Sequence, residues 1–230
     1  MNTPACFRSH LEGEGGISEL WKIALPMVLS SSFETCVMFI DRLMLSKVSS
    51  VQMAAMLGGG LTCFTMMTFF MGMIGYSSAM IAHLFGANRK QECSKMVTQS
   101  FILSILSYPL ILLLIPLGNA SFALAGHGQL QLSMEREYFF ISMVFTALFG
   151  ICRVPLSSFF AGIGKTKIIM AGNLVGLIVN ILVAYILIFG KLGLPALQIK
   201  GAALAVASGA FANFATLLLF YFKKENRISS

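Results

Sequence analysis

Apolar residues run through this chain in long unbroken stretches, with neither strand-like alternation nor a one-sided helical stripe. Six stretches read as helices: Glu19 to Met44, Gln52 to Phe85, Met96 to Leu117, Tyr138 to Pro155, Ile168 to Phe189, and Gly201 to Phe222. Crossing the hydrocarbon of a bilayer takes about 20 helical residues. The second stretch is longer than that and implies a tilted helix or an end projecting into water. The fourth is short. A closed barrel also spans lipid, but its strands alternate apolar and polar residues, and these stretches are apolar throughout. The pattern therefore predicts an all-α, polytopic membrane protein. It has an N-terminal tail over 1–18, a six-helix membrane bundle over 19–222 and a short tail over 223–230.

Composition agrees. The chain is 57% hydrophobic and 11% charged, where a soluble domain carries about 25% charged residues. Too few polar side chains remain to cover a water-facing surface. Lys and Arg set the orientation. With the N-terminus cytoplasmic, eleven fall inside, from Arg8 and Lys22 through Arg89, Lys90, Lys95, Arg153, Lys165 and Lys167 to Lys223, Lys224 and Arg227. Five fall outside: Arg42, Lys47, Arg136, Lys191 and Lys200. The expectation is a multi-pass protein of the cell (inner) membrane with both termini cytoplasmic. The net charge of +7 is mostly this asymmetry and needs no nucleic-acid partner. Arg8, Glu12 and Glu14 precede any apolar run, so the first residues do not read as a cleavable signal.

Two acids inside the first stretch change the picture. Asp41 is the chain's single aspartate, and Glu34 lies seven residues before it. Seven residues are nearly two helical turns, which sets both carboxyls on one face, roughly 10 Å apart along the axis. A charge at the centre of a membrane helix costs about 2.5–3.5 kcal/mol on insertion scales, and such residues face a partner or a watery cavity. The pair points to a path for ions or cationic solutes. For Glu34 a buried acid paired to a neighbouring helix is the competing reading. Asn173 and Asn180 share a face of the fifth stretch, and Asn213 lies in the sixth; for Asn173 and Asn213 interhelical hydrogen bonding is the expected role.

Pro26 and Pro109 kink their helices, either statically or as hinges. Gly201, Ala205 and Gly209, and likewise Gly172 and Gly176, recur every four residues and predict close helix packing. Gly58, Gly59, Gly60, Gly72 and Gly75 loosen the second stretch. The five cysteines are scattered without a C-x-x-C pair, which argues against disulfides or a metal knuckle and for packing. His10, His83 and His127 have no metal-ligand spacing, and Gly164-Lys165-Thr166 lacks the upstream glycine of a phosphate loop. No cofactor and no resident metal are expected, and an enzyme is not expected either.

Several segments, in order, resemble the multidrug and toxic compound extrusion (MATE) family of efflux transporters. They begin with Leu25-Pro26, Phe39-Ile40-Asp41 and Met53-Ala54-Ala55. Gly86-Ala87-Asn88-Arg89-Lys90 and Gly164-Lys165-Thr166-Lys167 are similar to the family's loops after the second and fourth helices. Asn173 to Asn180, Ile188-Phe189-Gly190, Pro195-Ala196-Leu197 and Gly201 to Ala205 are similar to its fifth and sixth helices. The likeness runs over about residues 18 to 222. It implies one six-helix lobe of a two-lobed transporter. It also implies that Asp41 holds the coupling cation, Na⁺ or H⁺, with Asn180 as a polar partner. Ala184 stands where many members carry an acid, and Ser157 or Ser158 stands where some carry an asparagine. The cation site is therefore either thinner than usual or rebuilt around Glu34.

The expected function is secondary active efflux of small organic cations by Na⁺ or H⁺ antiport, with the lipid bilayer as environment. Alternating access needs two bundles about a shared site. The resemblance ends at the sixth helix, so the chain is expected to work with a second lobe, as a homodimer or with a separate chain. Two alternatives stay open: a non-transporting remnant of a truncated or split transporter, and a flippase for lipid-linked substrates.

Overall fold

The structure is a computed structural model that describes residues 17–191, 193 and 195–223. It is built from helices: α1 (Ile17–Ser46), α2 (Ser50–Gly75), α3 (Ser77–Gly86), α4 (Lys90–Leu113), α5 (Ile115–Leu124), α6 (Gln129–Ile141), α7 (Ala147–Gly162), α8 (Thr166–Phe189) and α9 (Gln198–Phe222). A π-helical turn, Ser142–Thr146, joins α6 to α7. Among the described residues, six spans are long and apolar enough to cross a membrane. They are α1 from Ala24, α2 with α3, α4, α6 with α7, α8, and α9. Residues 1–16 and 224–230 of the expected tails lie outside the described residues.

The span boundaries depart from the sequence reading in three places. The over-long second span breaks at Tyr76, which divides α2 from α3. The third span starts earlier, at Lys90, and ends at Leu113; Pro116 then sits in the first turn of α5, where its missing N–H is harmless. The fourth span is not short. It runs from Gln129 to Gly162, and three of the charges that interrupt its apolar run, Glu135, Glu137 and Arg153, have partners. Glu135 is fully buried, its carboxylate accepting from Gln131 Nε2 at 2.8 Å and lying 2.9 Å from His127 Nδ1. Arg153 is paired as well and lies inside α7, not in a cytoplasmic loop.

Local chemistry sets the turns. Ser49 caps α2 by accepting from the Val51 N–H. Gly164 and Gly190, at φ +73° and +65°, take the left-handed conformation that closes α7 and α8, and the next residue's N–H returns to Phe160 O and Ile186 O respectively. The glycine runs are contact surfaces. A Cβ at Gly58 would meet Glu135 Oε1 at 2.7 Å, and one at Gly59 would meet the Glu135 carbonyl at 3.0 Å, so the triple glycine admits α6 against α2. Between α8 and α9, Gly176 and Gly209 face each other's carbonyls, and Gly201 sits against the Leu187 backbone. Lipid offers no hydrophobic drive between helices, so such close approach supplies the packing.

Candidate functional site

α1, α2, the α6–α7 span, α8 and α9 line a half-open cavity of about 510 Å³. Asp41 and Glu34 both line it, as the seven-residue spacing requires, and so do Asn173, Asn180 and Asn213. Asp41 is fully buried. Its Oδ2 accepts from Asn180 Nδ2 at 3.3 Å, while its Oδ1 has no hydrogen-bond partner among the described residues. Among the described residues it joins no ion pair. Four further buried oxygens of the cavity wall are likewise without partners: Asn180 Oδ1, Asn213 Oδ1, Ser142 Oγ and Thr146 Oγ1. Buried polar groups are normally satisfied, so five in one wall mark a surface arranged for something other than packing. The Asp41 carboxylate and the Asn180 amide oxygen are hard donors, of the kind that suits a small hard cation.

The second acid is differently placed. Glu34 is half exposed to the cavity and accepts from Arg153 Nη1 at 2.9 Å. Arg153 also donates to Asn173 Oδ1 at 3.2 Å, and Asn213 Nδ2 donates to the same oxygen. Asn173 Nδ2 in turn donates to Ser30 Oγ at 2.6 Å. Glu34, Arg153, Asn173, Asn213 and Ser30 thus tie α1, α7, α8 and α9 together at one level of the bundle. Asn173 and Asn213 link helices here. Glu34 is neither a bare acid nor a fully buried one.

Ser157 and Ser158 lie elsewhere than the sequence reading expects. Ser157 and Ser158 do not line the cavity. Ser157 Oγ donates to Val154 O of its own helix at 3.0 Å, and Ser158 is buried in the packing of α7. Ala184 is fully buried in a cluster with Leu45 and Tyr138 rather than on the cavity surface.

Sequence reasoning missed Arg42, Tyr138, Ser142, Thr146 and Arg153, all on the cavity wall. An arginine flanked by apolar residues on both sides was the available signal for Arg153, since intramembrane cations pair or face water. Breaking its network is expected to destabilise. Arg153→Met should lower thermal stability in detergent more than Glu34→Gln does, because it strips a donor from both Glu34 and Asn173. The double variant should lose less than the sum, by a coupling of about 0.5–3 kcal/mol. Strict additivity in that cycle would mean the contact contributes nothing.

Comparison with known proteins places this arrangement. The MatE family model matches residues 26–186. The chain is 29% identical over 208 residues to the multidrug resistance protein MdtK of Klebsiella pneumoniae, covering 87% of this chain and 44% of the relative. It is 30% identical over 198 residues to the probable multidrug resistance protein NorM of Bacillus subtilis, covering 83% and 42%. It therefore spans less than half the length of these relatives. Among solved structures, a MOP superfamily transporter from Pyrococcus furiosus superposes with a TM-score of 0.79 at 21% identity, over 99% of this chain and 49% of that one. At that identity the likeness is one of fold.

Proposed function

The chain belongs to the MatE family, and on that premise we propose that it is one lobe of a secondary transporter that exports organic cations. The observation that carries this reading is Asp41: a fully buried carboxylate facing a cavity, with one neutral partner and one free oxygen. A bare carboxylate in low dielectric is costly, so a proton or Na⁺ that neutralises it stabilises the closed lobe. The two conformations then differ in affinity for that ion, and the difference is the coupling. Asn180 is the second ligand in this scheme, and Glu34 with Asn173 forms the part of the wall that meets the organic cation.

A wall built by one lobe leaves the cavity's other side to a partner. A second lobe, from another copy or another chain, supplies it in this reading, with both termini in the cytoplasm and the protein in the cell (inner) membrane.

Reconstituted vesicles test this. A fluorescent organic cation should move when an inward H⁺ or Na⁺ gradient is imposed, and should stay put without one. No movement under either gradient, from membranes that contain the folded chain together with the lobe it pairs with, would remove the exporter reading. Lobe pairing has its own check. Cys36 is exposed on α1. With Cys36 as the sole cysteine, a bifunctional maleimide should yield a covalent dimer in membranes if two copies pair; persistent monomer at full labelling points to a separate partner chain.

A further inference from the structure

Three sulfur atoms converge behind the cavity wall. Cys63 Sγ lies 3.7 Å from Met67 Sδ and 3.7 Å from Met143 Sδ. All three residues are buried. A thiol carries one hydrogen and serves one acceptor at a time, so one of these two contacts has no hydrogen between its sulfurs. Cys63 and Met67 stand one turn apart on α2. Met143 arrives from the π-helical turn, where the extra residue shifts the phase of the span and turns Met143 toward α2. Such turns recur at functional sites. The Met67 methyl lies over Gly150, where a Cβ would approach it to 3.2 Å. Cys63, Met67 and Met71 also line the cavity, which gives an ion access from it.

We propose that Cys63, Met67 and Met143 form a sulfur-only site for a soft monovalent metal ion, Cu(I) or Ag(I), reached from the cavity. Thiolate and thioether donors select soft ions. Binding forms a metal–Sγ bond at Cys63 and breaks its S–H bond, and the proton leaves through the cavity. The thiolate and the monovalent ion then cancel, and the two thioethers are neutral, so the complex adds no net charge to a low-dielectric wall. A divalent ion would leave one positive charge there uncompensated. Geometry agrees. Metal–thiolate bonds of about 2.3 Å, the zinc value, put the sulfurs of a trigonal site about 4 Å apart. The two separations from Cys63 Sγ, 3.7 Å each, need open by only a few tenths of an ångström. Among the described residues no group of three or more His, Cys, Asp and Glu side chains converges to compete for the ion. Neither Asp41 nor Asn180 takes part, so the site shares the cavity with the proposed coupling residues and uses none of them.

The test is anaerobic titration of the chain in detergent with Cu(I) against a colorimetric Cu(I) chelator, with Ag(I) followed by calorimetry. A single tight equivalent is expected, with a sulfur-only first shell in X-ray absorption. Cys63→Ser should weaken binding by about 10-fold or more, since even outer-shell changes cost metal sites roughly 10–100-fold. Met143→Leu should do the same while conserving volume and fold, which keeps the test sound if Cys63→Ser is poorly folded. Cys93→Ser, whose sulfur faces the Ile81 and Arg89 carbonyls, should bind as before. Failure to retain metal, a nitrogen or oxygen shell, or unchanged affinity in Met143→Leu would each overturn the proposal.

Discussion

Asp41→Asn is expected to reduce gradient-driven export to background while leaving the membrane level and thermal stability of the protein intact. Asparagine matches the carboxyl in shape, and its side-chain oxygen can still accept from Asn180 Nδ2, which now lies 3.3 Å from Asp41 Oδ2. What disappears is the charge. Coupling free energies between two ligands of one protein run to about 1–3 kcal/mol, or about 5–150-fold, so a loss of this size is readily measured. Stability should hold or rise, because the variant removes a buried carboxylate that has no ionic partner among the described residues. The pairing of outcomes matters more than either alone. Lost export with an unfolded protein would show nothing about the cation, and preserved export with normal expression would refute the role given to Asp41.

Much of this site is legible in the sequence because Asp41 breaks a rule. A lone aspartate in an apolar run has few structural explanations, and its spacing from Glu34 sets both on one helix face. Asn173 and Asn180 follow from the same arithmetic, and the cavity collects all four. Arg153 was hidden for the opposite reason. It looked like the end of a short span, because nothing local shows that Glu34, 119 residues away, accepts its charge. Glu135 was hidden likewise. It opens the run Glu135-Arg136-Glu137 and reads as surface, yet the glycines of α2 make room for it and His127 satisfies it. The π-helical turn leaves no periodic trace at all, and the cavity-facing hydroxyls of Ser142 and Thr146 follow from it. Long apolar runs thus report the number of helices. They do not report phase, and phase decides which side chains reach the cavity.

Phase is held most tightly where α8 meets α9, and Gly209→Val is expected to break both the fold and the site. A Cβ at position 209 would meet the Gly176 carbonyl at 2.8 Å and the Asn180 Cβ at 2.9 Å. The first neighbour is backbone and cannot swing aside, so the helices must separate. Overpacking of a well-packed core typically costs about 1–3 kcal/mol; at about 2–4 °C per kcal/mol for a domain of this size, a melting shift of roughly 2–12 °C is expected in detergent. Gly72→Val is the matched control, because a Cβ there has no neighbour within 4 Å. It should move the melting point little. The separation also carries Asn180 away from Asp41, so Gly209→Val should lose export even in the fraction that reaches the membrane folded. Asp41→Asn removes the charge and keeps the packing, whereas Gly209→Val keeps the charge and removes its partner. Equal melting of the Gly209 and Gly72 variants would mean that α8 and α9 do not meet through Gly176 and Gly209, and Asn180 would then lose its place beside Asp41.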